Sequence, residues 1–313
     1  MRYLVTGGGG FIGSNIVHRL LAEGHEVTVL DDFSSGRREN LEDVKESIRL
    51  IEGDLRDSKV LQEALRGQDY CLHQGAVPSV PRSIADPWTT HDVNVNGTLR
   101  LLETARDTDI SRIVIASSSS VYGDTPTLPK REDMTPRPIS PYAVSKMVCE
   151  HYASVWTATF GVPVICLRYF NVFGPRQDPT SQYSAVIPLF VSAILNGKPP
   201  TIFGDGQTSR DFCYVENVVA ANLCACTAPE EACGQAFNIA CGERTTLNEL
   251  VSEINQLLGT NIEPNYGPDR PGDVKHSLAD IGKARELLGY DPQYNFAQGL
   301  KLAIDWYRAD AAK

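Results

Sequence analysis

Four consecutive glycines, set between a short apolar strand and an amphipathic helix, narrow the possible folds of this chain more than any other segment. Tyr3-Leu4-Val5 reads as a strand, Thr6-Gly7-Gly8-Gly9-Gly10-Phe11-Ile12-Gly13 as a turn, and Ile12, Ile16, Leu20 and Leu21 recur at helical spacing. Gly7, Gly10 and Gly13 give the pattern G-x-x-G-x-x-G. Without Cβ atoms the backbone can turn tightly and bring its N–H groups up to a pyrophosphate, which then sits at the positive end of the following helix. The third glycine lets that helix pack close to the strand. A glycine-rich turn alone is weak evidence; its place between strand and helix gives it meaning.

The same alternation continues along the first half. Strand-like runs at Tyr3–Val5, Val27–Leu30, Arg49–Ile51, Tyr70–Leu72, Ile113–Ile115 and Val164–Leu167 are separated by helical patterns such as Leu99, Leu102 and Ala105. Nearly continuous β-branched strands alternating with helices predict a parallel sheet covered on both faces. After about residue 170, prolines at 175, 179, 188, 199 and 200 loosen the pattern, and helices are expected near 186–196, 246–258, 279–288 and 297–308. The expected fold class is α/β: a Rossmann-like doubly wound parallel sheet over residues 1–170, then a smaller α/β substrate-binding lobe over 171–313, some segments of which return to the first domain.

The 313 residues carry 29 Lys plus Arg against 39 Asp plus Glu, a net charge of −10. An acidic chain is a poor partner for nucleic acid or an anionic membrane, which need a basic face, so neither is expected. The first apolar run is too short for the core of a signal peptide, and nowhere do about eighteen apolar residues run together; a cytoplasmic location is expected. The eight cysteines are scattered, mostly in apolar segments, and read as buried reduced thiols. No metal is expected, since the six histidines are dispersed and none forms H-E-x-x-H.

The second strand ends at Asp31, whose carboxylate suits the hydroxyls of an adenosine ribose and repels a 2′-phosphate; that favours NAD, while Arg37 and Arg38 keep NADP open. Asp54 and Leu55, after the third strand, suit an adenine edge and face, although Asp54 could equally cap a helix. Further on, Ser117-Ser118-Ser119-Ser120-Val121-Tyr122-Gly123 ends the fifth strand, and Ser140-Pro141-Tyr142-Ala143-Val144-Ser145-Lys146 opens a helix, with Ser140 as N-cap and Pro141 in the first turn. Tyr142 and Lys146 are four apart and share a face. A phenol is a poor base at neutral pH; a nearby ammonium together with a positive nicotinamide stabilises the phenolate and makes Tyr142 usable as a base. The serine hydroxyls can bond a sugar hydroxyl and steady its proton.

In this order and spacing, these residues resemble an extended short-chain dehydrogenase/reductase, specifically a UDP-hexose 4-epimerase, over nearly the whole chain. The matching second-half motifs are Arg168-Tyr169-Phe170-Asn171-Val172-Phe173-Gly174-Pro175-Arg176, Gly206 to Arg210-Asp211-Phe212, and Arg270-Pro271-Gly272-Asp273. The resemblance implies an NAD cofactor held by Gly7, Gly10, Phe11, Ile12, Gly13, Asp31, Asp54, Leu55, Gln74, Tyr142 and Lys146, with Gln74-Gly75 departing from the usual alanine-rich pair. It places a structural asparagine at Asn96. It implies Tyr142, Lys146 and Ser118 as catalytic residues, and Ser118, Ser119, Ser120, Tyr142, Asn171, Gln177, Ala185, Val186, Arg210, Arg270, Asp273 and Ser277 around the UDP-sugar. Asn171 would contact the diphosphate, Arg210 and Arg270 would clamp it, as guanidinium forks suit phosphate oxygens, and Asp273 would hold the ribose. A homodimer through helices near 88–107 and 141–160 is a further family expectation.

The family includes dehydratases and decarboxylases. Dehydratases carry an Asp-Glu pair where this chain has Ser119 and Ser120, and the decarboxylase glutamate is also missing. What remains is 4-epimerisation: Tyr142 removes the 4-hydroxyl proton, the C4 hydride passes to NAD⁺, and it returns to the other face of the turned 4-keto sugar. Members restricted to glucose and galactose carry a tyrosine at the position of Ser277; a serine leaves space for an acetamido group. With Ser79-Val80-Pro81-Arg82-Ser83, this resembles the UDP-N-acetylglucosamine 4-epimerase subgroup. UDP-GlcNAc/UDP-GalNAc are the expected substrates, with UDP-Glc/UDP-Gal beside them. UDP-glucose alone, UDP-glucuronate and a non-catalytic NAD sensor are the alternatives.

Overall fold

The computed structural model describes residues 1–178, 185–268 and 275–311. Its centre is a seven-stranded sheet in the order β3-β2-β1-β4-β5-β6-β11, all neighbours parallel. The strands are β1 (Arg2–Thr6), β2 (Glu26–Asp31), β3 (Ile48–Glu52), β4 (Tyr70–His73), β5 (Arg112–Ser118), β6 (Val164–Tyr169) and β11 (Ala236–Ile239). The first six fall where the apolar runs predict them. The seventh, from beyond residue 170, completes the far edge. This is a doubly wound Rossmann-like order, in which the sequence of strands switches sides between β1 and β4.

Helices cover both faces. On one, α1 (Phe11–Ala22) and α8 (Val215–Thr227) pack together; on the other lie α2 (Ser58–Leu65), α5 (Gly97–Ala105) and α6 (Pro141–Phe160). Separate apolar cores form on the two sides: Val5, Ile16, Val29 and Leu72 belong to one, Leu4, Leu30, Leu101 and Trp156 to the other. Neighbouring residues of β1 point to opposite sides, as strand geometry requires. Two short helices, α3 (Val80–Ala85) and α4 (Pro87–His91), bridge β4 to a π-helical turn over Asp92–Asn96 that leads into α5.

The second lobe has its own core, built on Phe173, Phe190, Phe212, Leu250 and Ile304. It contains α7 (Val186–Leu195), α9 (Leu247–Leu258) and α11 (Phe296–Ala311), while α10 (Gly282–Leu288) packs back against β11. Three strand pairs brace it: β7 (Val172–Phe173) with β10 (Cys213–Tyr214), β8 (Thr201–Phe203) with β13 (Asn265–Gly267), and β9 (Ser209–Arg210) with β12 (Thr245–Thr246). All eight cysteines are free, five of them buried. Among the described residues no helix is long and apolar enough to cross a membrane, and no cluster of His, Cys, Asp or Glu is arranged to hold a metal.

Candidate active site

A cleft of about 990 Å³ opens at the carboxyl ends of β1 and β4, where the sheet order reverses; ligands of such sheets bind at this place. The glycine turn forms its floor. Gly7 has φ +67°, and a Cβ at Gly13 would lie 2.1 Å from the Gly7 carbonyl oxygen, so helix and turn approach as closely as the sequence pattern predicts. Gly10 caps α1 in extended conformation with no side-chain bond of its own, which leaves the helix N-terminus facing the cleft.

Asp31 stands at the far end. Its carboxylate accepts the N–H groups of Gly9 and Phe33, each at 2.8 Å, which locks the turn to the end of β2. Burial raises its pKa, and those two hydrogen bonds oppose the shift. Arg38 is committed elsewhere, bonded to Glu52 at 2.7 Å and stacked on Phe33, and Arg37 lies near Glu39 and Asp178. A carboxylate at the end of β2, with both arginines turned to acidic side chains, fits NAD. Asp54 and Leu55 line the same cleft. Asp54 is not the helix cap: Asp57 caps α2, and Asp54 is bonded by Arg56, which lowers its pKa. Gln74 also lines the cleft, its amide held between Tyr169 Oη and Asn222 at 3.1 Å each.

Tyr142 and Lys146 project into this cleft from the first two turns of α6. The start of the helix is fixed as its sequence predicts: Ser140 Oγ accepts the Ala143 N–H, and Pro141 occupies the first turn. Lys146 is 6% exposed, donates to the Ala116 carbonyl at 2.8 Å, and sits 5.9 Å from the Tyr142 ring centroid. An ammonium has three protons, so others remain for the cleft. Ser118 ends β5 and caps the 3₁₀ turn Ser119–Tyr122, accepting the Ser120 N–H at 3.2 Å. The serine that lines the cleft wall is Ser117.

Several supporting roles escape the sequence reading. Ser83, fully buried on α3, accepts the backbone N–H of Tyr142 at 3.1 Å, satisfying an orphan donor in the first turn of α6. The buried asparagine is Asn94 rather than Asn96: its amide brackets both polar groups of Val77 and donates to Ser145, whereas Asn96 bonds Asp92. Asp32, Ser34, Ser35 and Gly36 line the cleft near Asp31; a cluster of small polar residues directly after a strand was the available signal. His73 is enclosed. Thr98 donates to the Asn94 carbonyl, so it accepts from His73 Nε2–H, while Nδ1 accepts from Thr6. Burial pushes this histidine down to about 3, so it is neutral at the root of the cleft.

A second cleft, of about 950 Å³, is lined by Asn171, two residues past the Tyr169 that lines the first. Phe190, Phe203 and Phe212 give it aromatic walls, and Asn171, Ala185, Val186, Thr208 and Arg210 are among the other residues that line it. Arg210 Nη1 is anchored on the carbonyls of Ser209 and Lys275. Asn171, at φ +30°, donates to the Asp211 carbonyl at 3.1 Å and to Ser277 Oγ at 3.4 Å. Asp211 is buried and accepts three backbone N–H groups, from Cys241, Gly242 and Ala279; burial nevertheless pushes its pKa up to about 7. Gln177 lines neither cleft; it bonds the Val172 carbonyl and receives Tyr307 Oη on its own carbonyl. Arg270 and Asp273 lie outside the described residues.

The chain matches a family model described as the NAD dependent epimerase/dehydratase family over residues 3–240. A UDP-glucose 4-epimerase of Mycolicibacterium smegmatis is 39% identical over 98% of this chain and 99% of that one. Among solved structures, a UDP-N-acetylglucosamine 4-epimerase from Methanobrevibacter ruminantium, in complex with UDP-N-acetylmuramic acid, superposes with a TM-score of 0.94 at 40% identity, covering 99% of this chain and 98% of that one. The UDP-glucose 4-epimerase of Thermus thermophilus, in complex with NAD, gives 0.88 at 37% identity over 98% and 99%.

Proposed function

From the premise that the chain belongs to the NAD dependent epimerase/dehydratase family, we propose that it is a 4-epimerase of UDP-N-acetylglucosamine and UDP-N-acetylgalactosamine that also interconverts UDP-glucose and UDP-galactose. NAD is its cofactor; the glycine turn and Asp31 would hold it, and when bound it would supply a reversible acceptor for the hydride of sugar C4. One observation carries the reading: beside the cleft holding Tyr142 and Lys146 the chain forms a second, lined by Asn171 two residues past Tyr169 of the first, whose aromatic walls suit a flat base and whose Arg210 suits a diphosphate. Tyr142 takes the 4-hydroxyl proton and later returns it. Lys146 stabilises the phenolate, and Ser118 steadies the hydroxyl. Ser119 and Ser120 supply no carboxyl acid to expel a leaving group, which disfavours elimination. Incubating the protein with a panel of UDP-sugars and separating the products tests this; turnover of UDP-glucuronate alone would overturn it.

Ser277 supports the N-acetyl substrate. Its N–H is fixed on Ser209, next to Arg210, and its hydroxyl receives Asn171, so its small side chain faces the residue expected at the diphosphate. Ser277→Tyr is expected to remove UDP-GlcNAc turnover while UDP-galactose turnover stays within about threefold, a discrimination steric exclusion can supply. Equal loss of both would sink the pocket argument.

A homodimer belongs to the same proposal. Ile84 and Trp88 are 65% and 83% exposed on α3 and α4, and Val144 and Val155 are exposed on α6, which packs against both helices. Apolar side chains grouped like this mark an interface. The parent should elute at about twice its 34.3 kDa chain mass and Trp88→Glu at once that mass; a monomeric parent would refute the dimer.

A further inference from the structure

Helix α6 carries a third polar residue on the face of Tyr142 and Lys146 that the reaction above does not use. Glu150 follows Lys146 by one more turn, so the three form a stripe. Arg168 of β6 spans its carboxylate, with Nε 2.8 Å from Oε1 and Nη2 2.7 Å from Oε2; the side chains are 5% and 10% exposed for Arg168 and Glu150. Oε1 also accepts the Ser117 hydroxyl at 2.5 Å. Arg168 lies beside Ser117 in the sheet, and its Nη1 donates to Tyr122 Oη, which donates to Asn238. One helix thus grips two consecutive residues of β5: Lys146 holds Ala116 and Glu150 holds Ser117. Ser118 comes next.

We propose that Glu150, paired with Arg168, is a positioning residue of the reaction: it fixes the end of β5 so that Ser118 and Tyr142 address the same sugar hydroxyl, and it balances a buried guanidinium beneath Lys146. The inference rests on the epimerase reading. Removing one partner of a buried ion pair leaves the other charge uncompensated. The charged and titratable groups around Glu150 are Lys146 and Cys149 on its own helix, Arg168 and Cys166 on β6, Tyr122 after β5, and Lys283 with Glu132 beyond them, with Tyr142 two turns back along the helix. Loss of the Glu150 charge therefore makes the surroundings of Tyr142 more positive and favours its phenolate.

The test compares kcat, KM and the pH profile of kcat, per NAD-containing folded enzyme, for the parent, Glu150→Gln, Glu150→Asp and the neutral pair Glu150→Gln with Arg168→Met. Glu150→Gln is expected to lower kcat about tenfold with KM within about twofold. The acid limb of its kcat profile should move down by about half a pH unit or more. Glu150→Asp keeps the charge and should keep the limb in the parental place. The neutral pair should return the limb to that place while kcat stays low. Parental kcat and limb in Glu150→Gln would overturn the assignment; should that variant not fold, parental kcat in the neutral pair would overturn it. A parent that turns over no UDP-sugar would overturn the epimerase reading and this inference together, whereas a parent that turns over and a Glu150→Gln that matches it overturns only the inference.

Discussion

Replacing Tyr142 by Phe is expected to lower kcat by about 10²- to 10⁴-fold, the usual range for removing a positioned acid–base group, while NAD affinity changes by no more than about threefold. The substitution keeps the ring and takes away one oxygen. The backbone of Tyr142 is held independently of that oxygen: its N–H donates to Ser83 and its carbonyl receives Ser145. Its neighbours are equally fixed, Lys146 on Ala116 and Ala143 on Ser140. The helix should therefore keep its place, and the loss should fall on chemistry rather than on assembly. KM for the UDP-sugar should stay within about threefold, because the aromatic walls and Arg210 proposed to hold the nucleotide belong to the other cleft. Steady-state kinetics together with an NAD titration check this. Turnover above about half the parental rate would mean that another group takes the proton, or that the chain binds NAD without the chemistry proposed here.

Why Tyr142 could be found in the sequence, and Ser83 could not, is a matter of range. Strands β1, β2, β4, β5 and β6 are buried on both faces and read as continuous apolar runs, while the edge strand β3 is largely exposed. The glycine turn, Asp31 and the Tyr142–Lys146 pair are local, their geometry set by spacing along one element. Strand β11 is four residues long and carries Asn238, fully buried because its amide donates to the carbonyls of Lys130 and Asp280. That polar residue breaks the apolar run, and only tertiary partners make it tolerable. The choice between Asn94 and Asn96 depends on helical phase, which the π turn over Asp92–Asn96 shifts. Ser83 reaches Tyr142 across 59 residues and Arg168 reaches Glu150 across 18, contacts fixed by packing that no spacing rule contains.

Gly13→Ala is expected to weaken NAD binding by about 100-fold, or ~2.7 kcal/mol, and to cost about 1–3 kcal/mol of stability, as overpacking does. The added Cβ would meet the Gly7 carbonyl oxygen at 2.1 Å, the Gly7 carbonyl carbon at 2.8 Å and Gly8 Cα at 2.9 Å. All three are backbone atoms, so no rotamer relieves the clash; the turn must open. It cannot open alone. Gly7 N–H is bonded to Leu30 and its carbonyl to Gly10, Gly9 N–H to Asp31, and the Gly9 carbonyl to Arg37 N–H and Asn40. Moving the turn therefore disturbs the helix N-terminus meant for the pyrophosphate and the carboxylate meant for the ribose at once. Gly24→Ala supplies the control. Gly24 has φ +77° with nothing within 4 Å of an added Cβ, so it carries backbone strain of about 1–2 kcal/mol far from the cleft. Melting temperature and NAD titration of the two variants separate the effects: Gly24→Ala should lose stability and keep parental affinity, whereas Gly13→Ala should lose both. If Gly13→Ala binds NAD like the parent, the close approach of turn and helix is not what builds the phosphate site.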